Sequence, residues 1–253
     1  DEKTGALKEE IPVDSVRAIT DFFRLTPAMG GWRIAIVQDT ERLGRSAANA
    51  LLKILEEPPS RSLIFLTTVA RGRLLPTLRS RCRALAFAPL TPLQLQNVLR
   101  PHLADLPPGD VDMLLRLAAG SPGRAVRILE HDGLQIYRDL LSLLQNSGPE
   151  QQSALIKFSQ NIGAKGDSDR FALTTQFCED WLARLCHLVA TGEVTEIAGG
   201  EGQLLRRMAA IRPLANWFEV VHNCKKQFAA ALYASLDRKL VLMQCLQQFV
   251  AAR

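Results

Sequence analysis

The stretch RIAIVQDTERLGRSAANALLKILEEPPSRSLIFLTTV, Arg33 to Val69, decides the fold class. It opens and closes on short, nearly continuous apolar runs rich in branched residues, RIAIVQD (33–39) and SLIFLTTV (62–69). Such runs read as strands of a parallel sheet buried on both faces. Between them Ala48, Leu51, Leu52 and Leu55 recur at i, i+3, i+4 and i+7, which predicts an amphipathic helix that Ser46 can cap and that Pro58 and Pro59 end. Strand, helix, strand means α/β. Upstream, Asp14 can cap a helix SVRAITDFFRL with Val16, Ile19 and Phe23 on one side, and downstream RALAFAPL (83–90) is a weaker third strand candidate.

The helix carries an oddity at its end. Glu56 and Glu57 lie in the last turn, where the helix dipole disfavours negative charge by about 0.3–1 kcal/mol each. Lys53, Arg61 or a basic group on a neighbouring subunit would have to compensate. Lys53 to Glu57 is an i, i+4 pair in the poorer orientation, worth a few tenths of a kcal/mol at roughly the usual scale. A structural or interface role for Glu56 and Glu57 is therefore expected, rather than catalysis.

After APLTP (88–92) the pattern changes to three short helices, TPLQLQNVLRPHL, PPGDVDMLLRLAAG and SPGRAVRILEH, each bounded by Pro, Gly or a capping residue. From about Asp132 the chain is helical with longer elements: DRFALTTQFCEDWLARLCHLVATG, PLANWFEVVHNCKKQFAAALYA and SLDRKLVLMQCLQQFVAAR. NIGAKGDSD and TGEVTEIAGGEGQ read as loops between them. Leu236, Leu240, Met243 and Val250 keep helical spacing in the last segment, as in a bundle.

A chain of 253 residues that is 47% hydrophobic can bury a sizeable core. It contains no run of about 18 uncharged apolar residues, and its charged start, DEKTGALKEE, is unlike a signal or transit peptide, so a soluble cytoplasmic protein without membrane association is expected. The first residue is Asp rather than Met, which reads as part of something longer. Five scattered cysteines without a CxxC pair give neither a disulfide framework nor a zinc site, and Cys178 and Cys186 read as core. Net charge is +5, which permits a phosphate-bearing partner without arguing for one. Locally, RGRLLPTLRSRCR puts Arg71, Arg73, Arg79, Arg81 and Arg83 into thirteen residues. Such a run is either a solvated basic face or an anion-facing surface.

A strand ending in an acidic residue, then a helix, then a buried strand ending in Thr is the layout of a P-loop-type nucleotide machine. There a carboxylate at the strand tip holds Mg²⁺ and a polar residue on the adjacent strand senses the γ-phosphate. Asp39 and Thr68 are the candidates. No G-x-x-x-x-G-K-[ST] occurs, so no phosphate cradle is present in these residues. Gln38 precedes Asp39, and a neutral amide cannot replace a carboxylate at magnesium.

AANALLKILEEPP, then TLRSRCR, then AAGSPGRA resemble the clamp-loader family of bacterial DNA polymerase III, AAA+ proteins. The order IPVDSVR, IAIVQDTERL, AANALLKILEEPP, FLTTVARGRLLPTLRSRC and AGSPG is similar to the delta-prime branch of that family across the first half of the chain. The resemblance implies an α/β AAA+ core remnant over residues 1–88, a three-helix lid over 89–131 and an all-α collar for oligomerisation over 132–253. It implies assembly with gamma/tau and delta subunits into a pentameric ring, which places the sliding clamp on primed DNA as part of the polymerase holoenzyme.

Two departures separate the chain from the family's active ATPases. Their strand-tip Asp-Glu aligns with Gln38-Asp39, and their second-sensor Arg after Gly-Ser-X aligns with Pro122-Gly123, so that Arg124 stands one place late. Both fit a subunit that is not itself catalytic, with no cofactor of its own and with ATP and Mg²⁺ in the neighbour. In the family, the Arg of Ser-Arg-Cys reaches across the subunit interface to that neighbour's γ-phosphate. Here it is Arg81, flanked by Ser80 and Cys82. The family's phosphate loop and zinc module would lie upstream of residue 1. Two other readings stay open: an active gamma/tau-like ATPase motor, and a basic helical protein that binds nucleic acid through the Arg71–Arg83 cluster.

Overall fold

The computed structural model describes residues 10–25, 30–146, 149–164, 167–233 and 236–250. The chain divides into two compact units, one up to Phe87 and one from Ala88 onward.

The first unit is α/β. Helix α1 (Val13–Arg24) precedes strand β1 (Arg33–Val37), helix α2 (Arg45–Glu56), strand β2 (Ser62–Leu66) and a single-turn helix α3 (Pro76–Arg79). The two strands are parallel and in register from Arg33 opposite Ser62 to Val37 opposite Leu66, as their apolar runs predict. Val16, Ala47, Ala48, Leu51 and Leu78 form one buried cluster, and Phe23, Ala35 and Ile54 another, so α1 and α2 together cover one face of the sheet. On its other face Ile34 is 51% exposed, Ile36 62% and Phe65 47%. The expectation of two buried faces therefore holds for one face only among the described residues.

Three local expectations are corrected. Residues 83–90 form no strand: β propensity needs a neighbour to pair with, and no strand lies alongside among the described residues. Ser46 lies inside α2, whose N-cap is Gly44, and Asp14 lies in the first turn of α1, whose N-cap is Pro12; there Asp14 pairs with Arg17 at 2.9 Å. The buried stripe of α2 is Ala47, Ala48, Leu51 and Ile54, with Leu52 and Leu55 at its margin.

The second unit is all helical. Helices α4 (Pro92–Leu103), α5 (Pro108–Ala118) and α6 (Pro122–Glu130) match the three short patterns. Thr91 and Gln94 build a capping box on α4, and Ser121 caps α6 through the Arg124 N–H. The turn before α6 needs Gly120: its φ is +80°, and a Cβ there would meet the Pro89 Cβ at 2.6 Å and the Leu90 carbonyl at 2.7 Å. The Leu90 N–H donates to the Gly120 carbonyl at 3.0 Å, which closes that turn onto the entry of α4.

There follow α7 (Gly133–Gln145), α8 (Pro149–Ile162), α9 (Ser168–Thr191), α10 (Glu201–Ala209), α11 (Leu214–Tyr233) and α12 (Arg238–Val250). One continuous core runs through this unit, from Leu95 and Leu117 through Tyr137, Phe177 and Trp181 to Phe249. It crosses residue 131 without a break. Cys178 and Cys186 are buried in it, and all five cysteines are free. On α12 the buried residues are Val241, Leu242, Cys245, Leu246 and Phe249, whereas Leu236 and Leu240 are half exposed. Of the predicted set, Met243 is partly buried against the core while Leu236, just before α12, and Leu240 face outward; the Val250 side chain lies outside the described residues. No helix among the described residues is long and apolar enough to cross a membrane.

Candidate functional site

Two features of the first unit bear on chemistry: the tips of the strands, and the turn after α3.

At the strand tips, the Thr67 N–H donates to the Val37 carbonyl at 2.9 Å and the Thr40 N–H to the Thr67 carbonyl at 2.9 Å. The buried Thr40 hydroxyl also donates to the Thr67 carbonyl, at 2.9 Å. Asp39 sits exposed in a left-handed conformation, φ +50°, at the head of a 3₁₀ turn, Thr40–Arg42. Thr68 Oγ1 accepts from the Ala70 N–H at 3.0 Å. Its other partner is Glu41, two places beyond Asp39. Burial alone would raise the Glu41 carboxyl, but hydrogen bonds from Thr68 and from backbone N–H groups, with the Arg73 charge, bring it below the ordinary glutamate value. Thr40 and Glu41 thus tie the two strands together. The sequence gives no sign of this, because their partners lie 27 and 28 residues away.

The turn after α3 carries the arginine cluster. Pro76 starts α3 at a position where its missing N–H is no loss. Leu78, 2% exposed, inserts between Ala47, Ala48, Leu51 and Val16 and docks this one-turn helix onto α2. The chain then tightens, with the Arg81 N–H donating to the Leu78 carbonyl at 3.1 Å and the Ser80 hydroxyl to the Thr77 carbonyl at 3.1 Å. Arg81 is thereby brought to the C-terminal end of α2. Its Nη2 lies 2.5 Å from Glu56 Oε1, and its Nη1 donates to the Thr77 carbonyl at 3.1 Å.

This accounts for Glu56 at the acidic helix end. Within the chain the cation beside Glu56 is Arg81 rather than Lys53 or Arg61, and Arg61 instead donates to the Gly30 carbonyl at 2.8 Å. Spacing along α2 could not reveal this, since the partner comes 25 residues later. Glu57 is the exposed C-cap of α2, its N–H donating to the Lys53 carbonyl at 3.2 Å. The Arg81 side chain is 36% exposed and that of Glu56 49%, so the pair stands at the surface. Cys82 is half-buried, and that burial raises its thiol above the ordinary value.

Arg71, Arg79 and Arg83 are exposed and line, with Thr68, Val69, Cys82 and Phe87, a groove of about 370 Å³. Arg124, in the second unit, is ion-paired to Asp180 of α9 with its side chain 18% exposed. Among the described residues no group of three His, Cys, Asp or Glu side chains is placed to hold a metal ion.

Residues 3–91 match the family described as DNA polymerase III, delta subunit. The chain is similar to DNA polymerase III subunit delta' of Escherichia coli, 39% identical over 142 residues, which are 56% of this chain and 42% of the relative. It is 37% identical to subunit delta' of Pseudomonas aeruginosa over 122 residues, 48% of this chain and 37% of the relative. With DNA polymerase III subunit tau of Bacillus subtilis it shares 25% identity over 164 residues, 62% of this chain and 29% of the relative. The aligned part thus spans about two fifths of the delta' relatives' own length.

Proposed function

We propose, starting from a sequence that is delta-prime-like among clamp-loader subunits of DNA polymerase III, that this chain comes from a subunit that hydrolyses no ATP itself. It lends Arg81 to the triphosphate held by an adjacent gamma/tau subunit while the sliding clamp is placed on primed DNA. The core remnant ends near residue 88, the helices up to residue 131 act as a lid, and the helices from 132 act as the collar that joins the ring with gamma/tau and delta.

The observation that carries this reading is the exposed Arg81 guanidinium in Ser80-Arg81-Cys82, presented from a short helix fixed by Leu78. A guanidinium is always charged and offers forked donors to phosphate oxygens, so it stabilises negative charge developing in the transition state. Fingers of this type in nucleotide hydrolases contribute on the order of 10³–10⁵ in kcat. Gln38 beside an exposed Asp39 supports the absence of hydrolysis within the subunit itself, since Asp39 alone stands where a magnesium-binding acidic pair is needed. Arg124, held by Asp180, supports it as well, because that guanidinium is already committed to a carboxylate.

The test is reconstitution with gamma/tau and delta, comparing wild type with Arg81→Ala. Intact assembly with depressed ATPase in the presence of clamp and primed DNA supports the reading, and unchanged turnover removes it.

A further inference from the structure

We infer that Glu56 is a positioning residue for Arg81, an inference that rests on the reading of Arg81 as a finger supplied in trans. An arginine side chain at a surface has several freely rotating bonds, and an unrestrained guanidinium would sample many positions relative to a neighbour's phosphate. Catalytic help of this kind depends on donors being in place before the reaction, since a misplacement of about 1 Å can cost roughly a hundredfold in rate.

Here two acceptors from two different elements hold the two terminal nitrogens. Glu56 Oε1, at the end of α2, lies 2.5 Å from Nη2, and the Thr77 carbonyl, in α3, accepts from Nη1 at 3.1 Å. Both elements are fixed in turn, because Leu78 seats α3 against the buried face of α2. The guanidinium is therefore referenced to the core of the unit rather than to its own flexible stem.

The location of Glu56 supports the same conclusion. A carboxylate in the last turn of a helix is locally unfavourable. Glu56 makes its contact with the Ser-Arg-Cys arginine from that position, although Arg71, Arg73, Arg79 and Arg83 stand in the same basic run. The pair is exposed, 36% and 49%, so water screens the attraction and the contact orients the arginine without neutralising it. With one acceptor on each terminal nitrogen the guanidinium still stands at the surface, its side chain 36% exposed, so a phosphate can approach it from solvent.

Two roles for Glu56 make opposite forecasts. A positioning carboxylate supports turnover, whereas a latch that competes with phosphate for Arg81 restrains it. The experiment uses the full-length subunit reconstituted with gamma/tau and delta, with ATP turnover measured in the presence of clamp and primed DNA for Glu56→Ala, Glu56→Gln, Arg81→Ala and the double variant Glu56→Ala/Arg81→Ala. Gel filtration checks that each complex assembles. Glu56→Ala is expected to lower kcat about tenfold with the KM for ATP unchanged. Glu56→Gln, which keeps an acceptor, is expected to fall between it and wild type, and to serve in its place if the Ala variant does not fold. Glu56→Ala should have no further effect once Arg81 is gone.

Wild-type or faster turnover of Glu56→Ala would overturn the inference, and so would an equal loss with and without Arg81, which would mark a general structural role. If Arg81→Ala itself turns over at the wild-type rate, the finger reading fails and the inference falls with it. That result is distinct from one in which Arg81→Ala is slow and Glu56→Ala is not.

Discussion

Arg184 meets the fully buried carboxylate of Glu201 at 2.8 Å. The Tyr137 hydroxyl donates to the same carboxylate oxygen at 2.5 Å and accepts from Arg184 at 2.5 Å, while the Ile197 and Ala198 N–H groups donate to the other oxygen at 2.8 and 3.4 Å. This network joins α7, α9, α10 and the loop before α10, and its burial raises the Tyr137 phenol far above the usual tyrosine value. Glu201→Ala should cost about 3–5 kcal/mol, because it strands a mostly buried guanidinium. Tyr137→Phe should cost about 1–3 kcal/mol, and the double variant less than the sum of the two. Denaturant unfolding of the chain measures all three.

Gly120→Ala should destabilise the helical unit by more than about 1 kcal/mol. Its positive φ strains any side chain, and the Pro89 Cβ stands 2.6 Å from where the new Cβ would lie. Gly123→Ala in the same motif meets nothing within 4 Å and serves as the control. Thermal unfolding of the two variants separates them, and equal midpoints would contradict the account.

Much of the fold was legible because local chemistry and burial agree. The parallel pair is written in two branched apolar runs, Thr91 and Ser121 cap α4 and α6 through N–H groups three residues on, and prolines mark the starts of α4, α5 and α6. What could not be read depends on distant partners. Glu56 is explained only by Arg81, Thr40 by Thr67, and Glu201 by Tyr137 and Arg184; each pair is brought together by packing, not by spacing. Helix α10 begins inside the stretch TGEVTEIAGGEGQ that reads as loop, because the partners that bury Glu201, Tyr137 and Arg184, lie 64 and 17 residues away. On α12 apolar residues lie on both sides, so periodicity alone could not select the face that contains Leu242 and Leu246.

The Glu41 carboxyl sits below its ordinary value, so its contribution to stability is fully present above the unfolded-state glutamate pKa and is lost as pH falls through the lowered folded value. Glu41→Gln should therefore flatten the acid limb of the stability profile, with little change in slope near neutrality. Unfolding measured from pH 7 down to about pH 3 checks this. An unchanged acid limb would show that the strand tips do not depend on that charge.

Glu57 is exposed at the end of α2, and Glu56, not Glu57, meets Arg81. Glu57→Lys is expected to leave the stability of the chain within about 0.5 kcal/mol of wild type while weakening its assembly with gamma/tau and delta. Sedimentation of the reconstituted complex, beside unfolding of the chain alone, decides between the two effects. Equal loss in both would reject an interface role.

The central claim concerns geometry as well as charge, so the most direct measurement is ATP turnover by the reconstituted complex carrying Arg81→Lys. Lysine keeps the positive charge and loses the fork that reaches Glu56, Thr77 and a phosphate together. The account predicts an assembled complex whose turnover with clamp and primed DNA falls nearly as far as with Arg81→Ala. Turnover at the wild-type rate in that complex would contradict it.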